Sequence, residues 1–241
     1  MRTVPSWLAK KRVVGGFVVE PIVGVGESAQ RYFPSAERNE GFDLPVLSYA
    51  AGRAEALIRA KKLMLVFVPV YWACLDQART RARYLQFLST LSESARRLFV
   101  FELAGIPEDL MVTRIEERIS QLRPYCRSIV CRTRIARRDF SVFGKLQVHA
   151  VGIDLGELPT FERGIIPAFD TFMDAVAPTK RNTYVHGLTS KSLLVAVQAA
   201  GVDFVAGTII PQSDDAPQDI RGFEIADLYD FPKPSSKPAA S

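Results

Sequence analysis

The segment from residue 181 to residue 211 constrains the fold most, because its pattern predicts a complete strand–helix–strand unit. Residues 183–186 have the composition of a short strand, which stops at Gly187. Ser190 is placed to cap a helix with apolar residues at helical spacing, and Gly201 is placed to end it. A second apolar strand follows. Strands joined by a helix of this length are normally parallel, with a right-handed crossover.

The rest of the chain repeats this alternation of strand and helix. The run LMLVFVPV is uninterrupted, as in a parallel strand that is covered on both faces. The predicted strands are residues 13–25, 32–33, 63–70, 98–103, 128–133, 148–154, 183–186 and 202–205. The predicted helices before the last unit are residues 44–61, 73–96, 107–122, 140–146 and 161–176. This order predicts an α/β fold, a closed (β/α)8 barrel of the TIM type.

Composition fits one barrel with a well-buried core. The chain has 241 residues, of which 48% are hydrophobic and 24% charged. Residues 1–12 are predicted to be an N-terminal extension, residues 13–230 the barrel domain, and residues 231–241 a disordered tail rich in Pro, Ser and Ala. No apolar run reaches the roughly 18 residues that a membrane-spanning helix needs.

The cysteines indicate the cellular compartment, and the net charge indicates which classes of partner are possible. Cys74, Cys126 and Cys131 are few, odd in number and without paired spacing, which predicts reduced thiols, a cytoplasmic location and no zinc site. The net charge of +5 permits an acidic ligand but does not require one. Nucleic acid is not expected as a partner, because the arginines are not interleaved with aromatic residues as in a strand-binding groove.

Five arginines surround one predicted strand and the loop after it, at the barrel end where such folds bind ligands. One interpretation is an anion-binding mouth that uses Arg132 and Arg134, since arginine matches phosphate geometry. The favoured interpretation is a solvated loop with one inward arginine paired to Glu102. If that arginine is Arg132, an Arg132–Glu102 ion pair would fill the place of a metal. The cluster consists of Arg127, Arg132, Arg134, Arg137 and Arg138.

Several of these segments, in order and register, resemble the EAL domain, the family of cyclic-di-GMP phosphodiesterases. The match runs from residues 20–22 (EPI) to Pro211. It includes LFVFELAG, RSIVCRT, VGIDL and the closing segment HGLTSKSLLVAVQAAGVDFVAGTIIP. The resemblance implies an EAL-type barrel whose first strand is possibly antiparallel. It also implies divalent metals held at the strand ends by carboxylates and an asparagine, with a lysine that helps to activate water.

Most residues that the resemblance requires for catalysis are replaced. Glu102 is the only member of the ligand set that remains, and one carboxylate cannot hold two metals against water. Asp154 also persists, after the position of the lost lysine. The replaced positions are Pro69 for the asparagine, Cys131 and Arg132 for an aspartate pair, Gly152 for the lysine, His186 and Thr189 for two late glutamates, Ala206 for a glutamine, and Gly105 for the second glutamate after Glu102. The tripeptide at residues 55–57 (EAL) spells the family's name but lies inside a predicted helix, so we interpret it as a coincidence.

These replacements lead to three hypotheses about function. The first is a catalytically inactive regulatory or scaffolding module of bacterial cyclic-di-GMP-type signalling, with a protein partner or a second copy and without metal or cofactor. The second is a non-hydrolysing receptor that binds cyclic-di-GMP through Arg132 and Arg134. The third is an enzyme, with residual phosphodiesterase activity or new chemistry at His186 and Glu102. His186 is expected to be a hydrogen-bonded residue at the rim of the core, and Cys131 a small buried apolar residue.

Overall fold

The structure is a computed structural model that describes residues 1–24, 30–32, 42–157, 162–211 and 219–229. The predicted tail at residues 231–241 lies outside the described residues. The strands are β1 Arg2–Leu8, β2 Val13–Glu20, β3 Ile22–Val23, β4 Gln30–Arg31, β5 Leu65–Tyr71, β6 Phe99–Ala104, β7 Ser128–Arg132, β8 Ala150–Asp154, β9 Asn182–His186, β10 Phe204–Ala206 and β11 Arg221–Gly222. The α-helices are α1 Asp43–Arg59, α2 Trp72–Asp76, α3 Ala78–Ser89, α4 Glu93–Arg96, α5 Val112–Leu122, α6 Ser141–Lys145, α7 Glu162–Val176 and α8 Lys191–Ala199.

Eight strands of the described residues close into a barrel. They follow the order β1-β10-β9-β8-β7-β6-β5-β2, and β2 pairs back to β1. β2 and the strands from β5 to β10 run parallel to one another, and β1 is antiparallel to both its neighbours. The two short strands β3 and β4 form a separate hairpin. The predicted closed barrel with an antiparallel first strand is therefore confirmed.

The position of that antiparallel strand corrects the sequence prediction. Residues 1–12, predicted to be an extension outside the barrel, contain β1, which closes it. The strand predicted at residues 13–25 is β2, the second strand, and it pairs in parallel with β5. Trp7 is fully buried, and its indole Nε1 donates a hydrogen bond to the carbonyl of Phe223, 3.0 Å away. The N-terminal segment is thus part of the core.

The long helix predicted at residues 73–96 is also wrong, because the chain forms three shorter helices there. Gln77 has extended backbone angles, φ −76° and ψ 125°, which separate α2 from α3. Ser92 begins α4, and its hydroxyl accepts a hydrogen bond from the backbone N–H of Ala95. In the described part of the chain, no helix is both long and apolar enough to cross a membrane.

The barrel interior is layered. An apolar middle layer is formed by one inward residue from each of the eight strands: Val4, Val18, Phe67, Val100, Val130, Ala150, Tyr184 and Ala206. Because side chains alternate along a strand, residues two positions further along also point inward. On the parallel strands these include Glu20, Glu102, Arg132 and His186, which places charged groups at the C-terminal mouth of the barrel. A second apolar core lies between the barrel and its helices.

Candidate functional site

Charged side chains cross the mouth of the barrel in one continuous set, which we call the mouth network. Most come from the C-terminal ends of strands, where (β/α)8 barrels hold their ligands. All except Glu157, whose side chain is 33% exposed, are largely or fully removed from solvent. The mouth network consists of Glu20, Arg31, Glu102, Arg132, Asp154, Glu157 and His186.

Arg132 lies at the centre of the mouth network. Its Nη1 is 2.9 Å from Oδ2 of Asp154 and 3.9 Å from Oε2 of Glu102. Its Nη2 donates a hydrogen bond to the hydroxyl of Tyr71, 3.0 Å away, and its Nε is 3.4 Å from Oε1 of Glu157. Arg132 thus points into the barrel and pairs with Glu102. Its closest carboxylate, however, is Asp154, a pairing that the sequence did not indicate.

A second arginine, Arg31, lies on the other side of Asp154. Its Nη1 donates to Oδ1 of Asp154 at 2.7 Å, and its Nη2 is 2.5 Å from Oδ2 of the same carboxylate. Its Nε is 3.1 Å from Oε1 of Glu20, whose other oxygen accepts from Nε of Arg2 at 2.7 Å. Asp154 is therefore held between two guanidinium groups, a strong charge-assisted arrangement.

The second buried carboxylate, Glu102, lies beside His186. Nδ1 of His186 is 3.0 Å from Oε1 of Glu102, and both side chains are buried. Burial alone would raise the pKa of Glu102, but Arg132 and then His186 outweigh burial and hold that pKa well below its usual range. Burial likewise opposes ionisation of Asp154, but Arg31 and Arg132 lower its pKa. Both carboxylates are therefore charged at neutral pH.

Gly152 leaves room for the ring of Tyr184. A Cβ atom added at Gly152 would lie 2.2 Å from the carbonyl oxygen of Tyr184 and 2.4 Å from its Cγ. The position at which the resemblance expects a lysine therefore admits no side chain in this packing. Tyr184 is buried inside the barrel, and its ring centroid is 4.7 Å from that of His186.

Several other positions named for the site lie outside the mouth network, and Cys131 is buried, as expected. Cys131 faces outward into the core between barrel and helices, where burial raises its thiol pKa to about 12. Gly105 and Thr189 are exposed beyond their strand ends, and Arg134 is exposed as well. Ala206 lies in the apolar middle layer of the barrel.

Pro69 points inward from β5, directly beside Glu102 of β6. Its ring offers neither an N–H nor a side-chain oxygen, so it adds no ligand to the mouth. The tripeptide at residues 55–57 lies in α1, and Glu55 accepts a hydrogen bond from the hydroxyl of Ser92 at 3.0 Å. The interpretation of this tripeptide as a helical coincidence fits that position.

Sequence reasoning missed several members of the site. Glu20 ends an apolar strand, and a charge in that position could have indicated a group at the mouth. Tyr184 precedes His186 by two residues, so alternation along the strand could have placed both inside. Arg31 gave no such signal, because it belongs to a strand of only two residues.

The donor set of the mouth does not fit the metals that the resemblance implies. The carboxylates of Glu102 and Asp154 already face the guanidinium of Arg132, and Asp154 also faces Arg31. A divalent cation would stand beside two fixed positive charges, and both guanidinium groups would have to leave first. Within the described ranges, no group of three or more His, Cys, Asp or Glu residues is arranged to hold a metal ion.

The anion-binding interpretation meets the same geometry. Arg132 is enclosed by carboxylates, and Arg134 is on the surface, so the structure does not bring the two arginines together around one open site. Arg137 is buried over the ring of Phe143, with 4.9 Å from its guanidinium carbon to the ring centroid. The remaining members of the cluster, Arg127 and Arg138, are exposed.

No protein-family model matches the sequence, and no curated protein is similar to it. Solved structures, however, share its fold. The YkuI protein of Bacillus subtilis, an EAL-domain protein in complex with substrate c-di-GMP and calcium, matches 84% of this chain over 51% of its own, with a TM-score of 0.58 and 13% identity. The S helix-GGDEF-EAL part of Vibrio cholerae LapD matches 86% of this chain over 52% of its own, with a TM-score of 0.63 and 12% identity.

A third match has nearly the same extent as this chain. A standalone EAL protein from Vibrio cholerae O395, in its c-di-GMP-bound form, is matched over 95% of this chain and 96% of its own, with a TM-score of 0.56 and 9% identity. This chain spans about half the length of the YkuI and LapD chains. At such low identity the likeness establishes the fold alone, which is the barrel of the EAL domains.

Proposed function

We propose that this chain is a non-hydrolysing EAL-fold module that acts in cyclic-di-GMP-type signalling by contact with a protein partner or a second copy. One observation carries the proposal. Arg132 lies between Asp154 and Glu102, at 2.9 and 3.9 Å, where a metal-dependent phosphodiesterase would need its carboxylates free. The signalling context comes from the neighbours in fold, one of which contains a GGDEF-EAL arrangement and another of which is bound to c-di-GMP.

The energetics favour a permanent network over a site waiting for metal. Removing one partner from a buried ion pair typically costs about 3–5 kcal/mol, because the other charge is left buried and uncompensated. A metal that displaced Arg132 and Arg31 from Asp154 would have to overcome costs of this kind at both arginines. At Gly152, the ring of Tyr184 also fills the space that a lysine would occupy. A barrel closed in this way acts through its outer surface, and we place it in the cytoplasm with the signalling proteins it resembles.

The first test is turnover. The purified chain is incubated with c-di-GMP in separate reactions that contain excess Mg²⁺, Mn²⁺ or Ca²⁺. The linear dinucleotide formed in each reaction is measured by chromatography. We expect no product above the protein-free rate with any metal, whereas an active EAL phosphodiesterase run in parallel converts the substrate. Metal-dependent turnover that scales with protein concentration would overturn the proposal.

The second test is association. Sedimentation velocity of the purified chain over a range of concentrations separates a monomer from a second-copy complex. A concentration-dependent dimer supports a homodimeric module. If the chain stays monomeric, its partner is a different protein. Crosslinking in the cell of origin would then capture that protein at the barrel surface.

A receptor for c-di-GMP is the second candidate, because YkuI, LapD and the standalone Vibrio cholerae protein have all been solved with this nucleotide. Calorimetric titration with c-di-GMP, once with Ca²⁺ and once with chelator, separates the candidates. Metal-independent binding that disappears in Arg132→Ala and in Arg134→Ala would put the receptor first. Binding that requires metal would indicate a working metal site, and the absence of heat in both titrations leaves the scaffold in first place.

A further inference from the structure

The opposite end of the barrel, away from the mouth network, contains a cavity of about 480 Å³. It lies among the N-terminal ends of the parallel strands, below the apolar middle layer. Its wall is apolar, with aromatic and branched side chains that include Phe67, Val100, Val130, Tyr184 and Phe204. A volume of this size lies in the range of pockets that hold small organic molecules. (β/α)8 barrels use the other end for their ligands, and no member of the mouth network lines this cavity.

The rim of the cavity is cationic. Lys10, Lys11 and Arg127 line it, and Asp203, the one carboxylate among the described residues that line the cavity, is already engaged. Asp203 lies 2.5 Å from Nζ of Lys10 and accepts a hydrogen bond from the backbone N–H of Thr183 at 2.8 Å. Among the described residues, the side chains of Lys11 and Arg127 have no carboxylate partner. The rim therefore offers two uncompensated positive charges above an apolar chamber.

Two neutral polar side chains complete the rim. Nδ2 of Asn182 donates a hydrogen bond to the carbonyl of His149 at 3.2 Å and lies 3.4 Å from His149 Nε2. Burial lowers the pKa of His149; the carboxylate of Asp203 partly offsets this, and the charge of Arg127 adds to the lowering. A neutral imidazole and an amide beside two cations can orient a ligand without adding negative charge.

We propose that this cavity binds a small amphipathic carboxylate. Its apolar body, an aromatic ring system or a medium-length alkyl chain, packs against Phe67, Val130 and Tyr184. Its carboxylate lies at the rim with Arg127 and Lys11. Burial of the apolar body supplies the affinity, and the charge pairing at the rim supplies the preference for an anion. The inference is independent of the proposed function, because none of the rim residues belongs to the mouth network.

Calorimetry on the full chain tests the proposal with two carboxylates, 2-naphthoate and decanoate, and with the neutral analogue 2-naphthalenemethanol. We expect at least one of the two carboxylates to bind. If 2-naphthoate binds, its neutral analogue 2-naphthalenemethanol should bind roughly tenfold more weakly or worse. Arg127→Ala should weaken carboxylate binding by roughly tenfold, since one charge-assisted contact is lost. Failure of both carboxylates to bind would overturn the inference.

Arg134→Ala is the matched control, because Arg134 is an exposed arginine just beyond the other end of β7. It should leave binding of the carboxylates unchanged. Val130→Phe, which fills the chamber, should abolish binding while the rim stays intact, and its circular dichroism spectrum shows whether it has folded. Binding that resists Arg127→Ala but is lost in Arg134→Ala would place the ligand at the mouth and refute the cavity site.

Discussion

At the residue scale, Arg132 holds two buried carboxylates at once, and its removal gives the first prediction. Arg132→Ala leaves Asp154 and Glu102 without their shared guanidinium in a buried setting. We expect the free energy of unfolding at pH 7 to fall by about 3–5 kcal/mol, as for other broken buried ion pairs. Chemical denaturation monitored by circular dichroism measures the change.

Arg134→Ala is the control for this substitution, since it removes an exposed arginine two residues away. Its effect should stay within about 0.5 kcal/mol, as is usual for surface positions. Equal losses in the two variants would show that the buried pairing does not stabilise the fold.

The same carboxylates predict how stability changes in acid. The pKa of Glu102 and that of Asp154 are lowered in the folded state, so their contribution is complete above the unfolded pKa of about 4 and is lost as pH falls through the folded values. We expect unfolding free energy of the wild type to decline below about pH 4. In Arg132→Ala the deficit should shrink as pH falls from 7 to 4, because the unpaired carboxylates can take up protons. A deficit that does not depend on pH would contradict this electrostatic account.

The limits of sequence reasoning are clear at this scale. The position of Arg132 at a strand end indicates that it can point inward, and Glu102 is expected beside it. The sequence also places Asp154 at the mouth, but it does not identify Asp154 as the closest partner of Arg132. Arg31 could not be paired with Asp154 at all, because 123 residues separate them and no local pattern connects them. Contacts made only by barrel closure are invisible to spacing along one segment.

At the element scale, the close packing of β8 against β9 predicts the effect of a single added methyl group. Gly152→Ala would place Cβ 2.2 Å from the carbonyl oxygen of Tyr184, so the backbone of one strand must shift. Overpacking of this kind costs about 1–3 kcal/mol, and more where backbone is involved. Thermal unfolding should show a clear drop in Tm.

Gly52 provides the matched glycine. It lies inside α1, and a Cβ added there would have no atom within 4 Å. Gly52→Ala should stabilise the chain by about 0.5–1 kcal/mol, because alanine favours the helix. If Gly152→Ala were tolerated as well as Gly52→Ala, a side chain could fit at residue 152, and the argument that Tyr184 excludes a lysine there would fail.

The contact between the start of α1 and the end of β5 predicts a second dependence of stability on pH. Asp43 is buried at the start of α1, and its Oδ1 accepts a hydrogen bond from the backbone N–H of Tyr71 at 3.1 Å. Burial raises the pKa of Asp43 to about 6, and the hydrogen bond to Tyr71 only partly offsets this. The folded state then binds more protons than the unfolded state between about pH 4 and 6, so stability falls as pH rises through that window, by up to about 3 kcal/mol.

Asp43→Asn tests this directly, because the amide oxygen can still accept from Tyr71 while the side chain no longer titrates. We expect the difference in unfolding free energy between variant and wild type to move in favour of the variant between pH 4 and pH 7. Asp43→Ala, which also loses the acceptor, should be less stable than Asp43→Asn at every pH. Parallel stability profiles for wild type and Asp43→Asn would contradict the raised pKa.

Element prediction from the sequence succeeded where apolar runs were continuous and failed where local signals were weak. Of the six strands from β5 to β10, all but β9 follow such runs, and Ser190 caps α8 as its position indicated. The interruption of the predicted helix 73–96 at Gln77 was missed, because no Gly or Pro marks that position. At the end of α2, the side chains of Thr80 and Arg81 donate hydrogen bonds to the carbonyls of Cys74 and Leu75, both at 2.7 Å.

At the scale of the whole molecule, closure of the barrel depends on β1, the strand that the sequence did not reveal. Its segment contains Pro5 and precedes a basic run at residues 10–12, features that usually indicate a chain end rather than a core strand. Yet β1 pairs with β2 on one side and β10 on the other, and so joins the first and last parallel strands. A chain without this segment would expose two unpaired strand edges.

Trp7 provides the test of this closure. Its indole is fully buried, packs edge-on against Phe223 at 5.5 Å between ring centroids, and donates to the carbonyl of that residue. Trp7→Ala should lower the free energy of unfolding by about 3–5 kcal/mol, as large-to-small substitutions of buried aromatic residues do. Lys11→Ala, an exposed substitution in the same segment, should change it by no more than about 0.5 kcal/mol. If Trp7→Ala were as mild as Lys11→Ala, residues 1–12 would be the appended extension that the sequence suggested, and β1 would not be needed to hold the barrel closed.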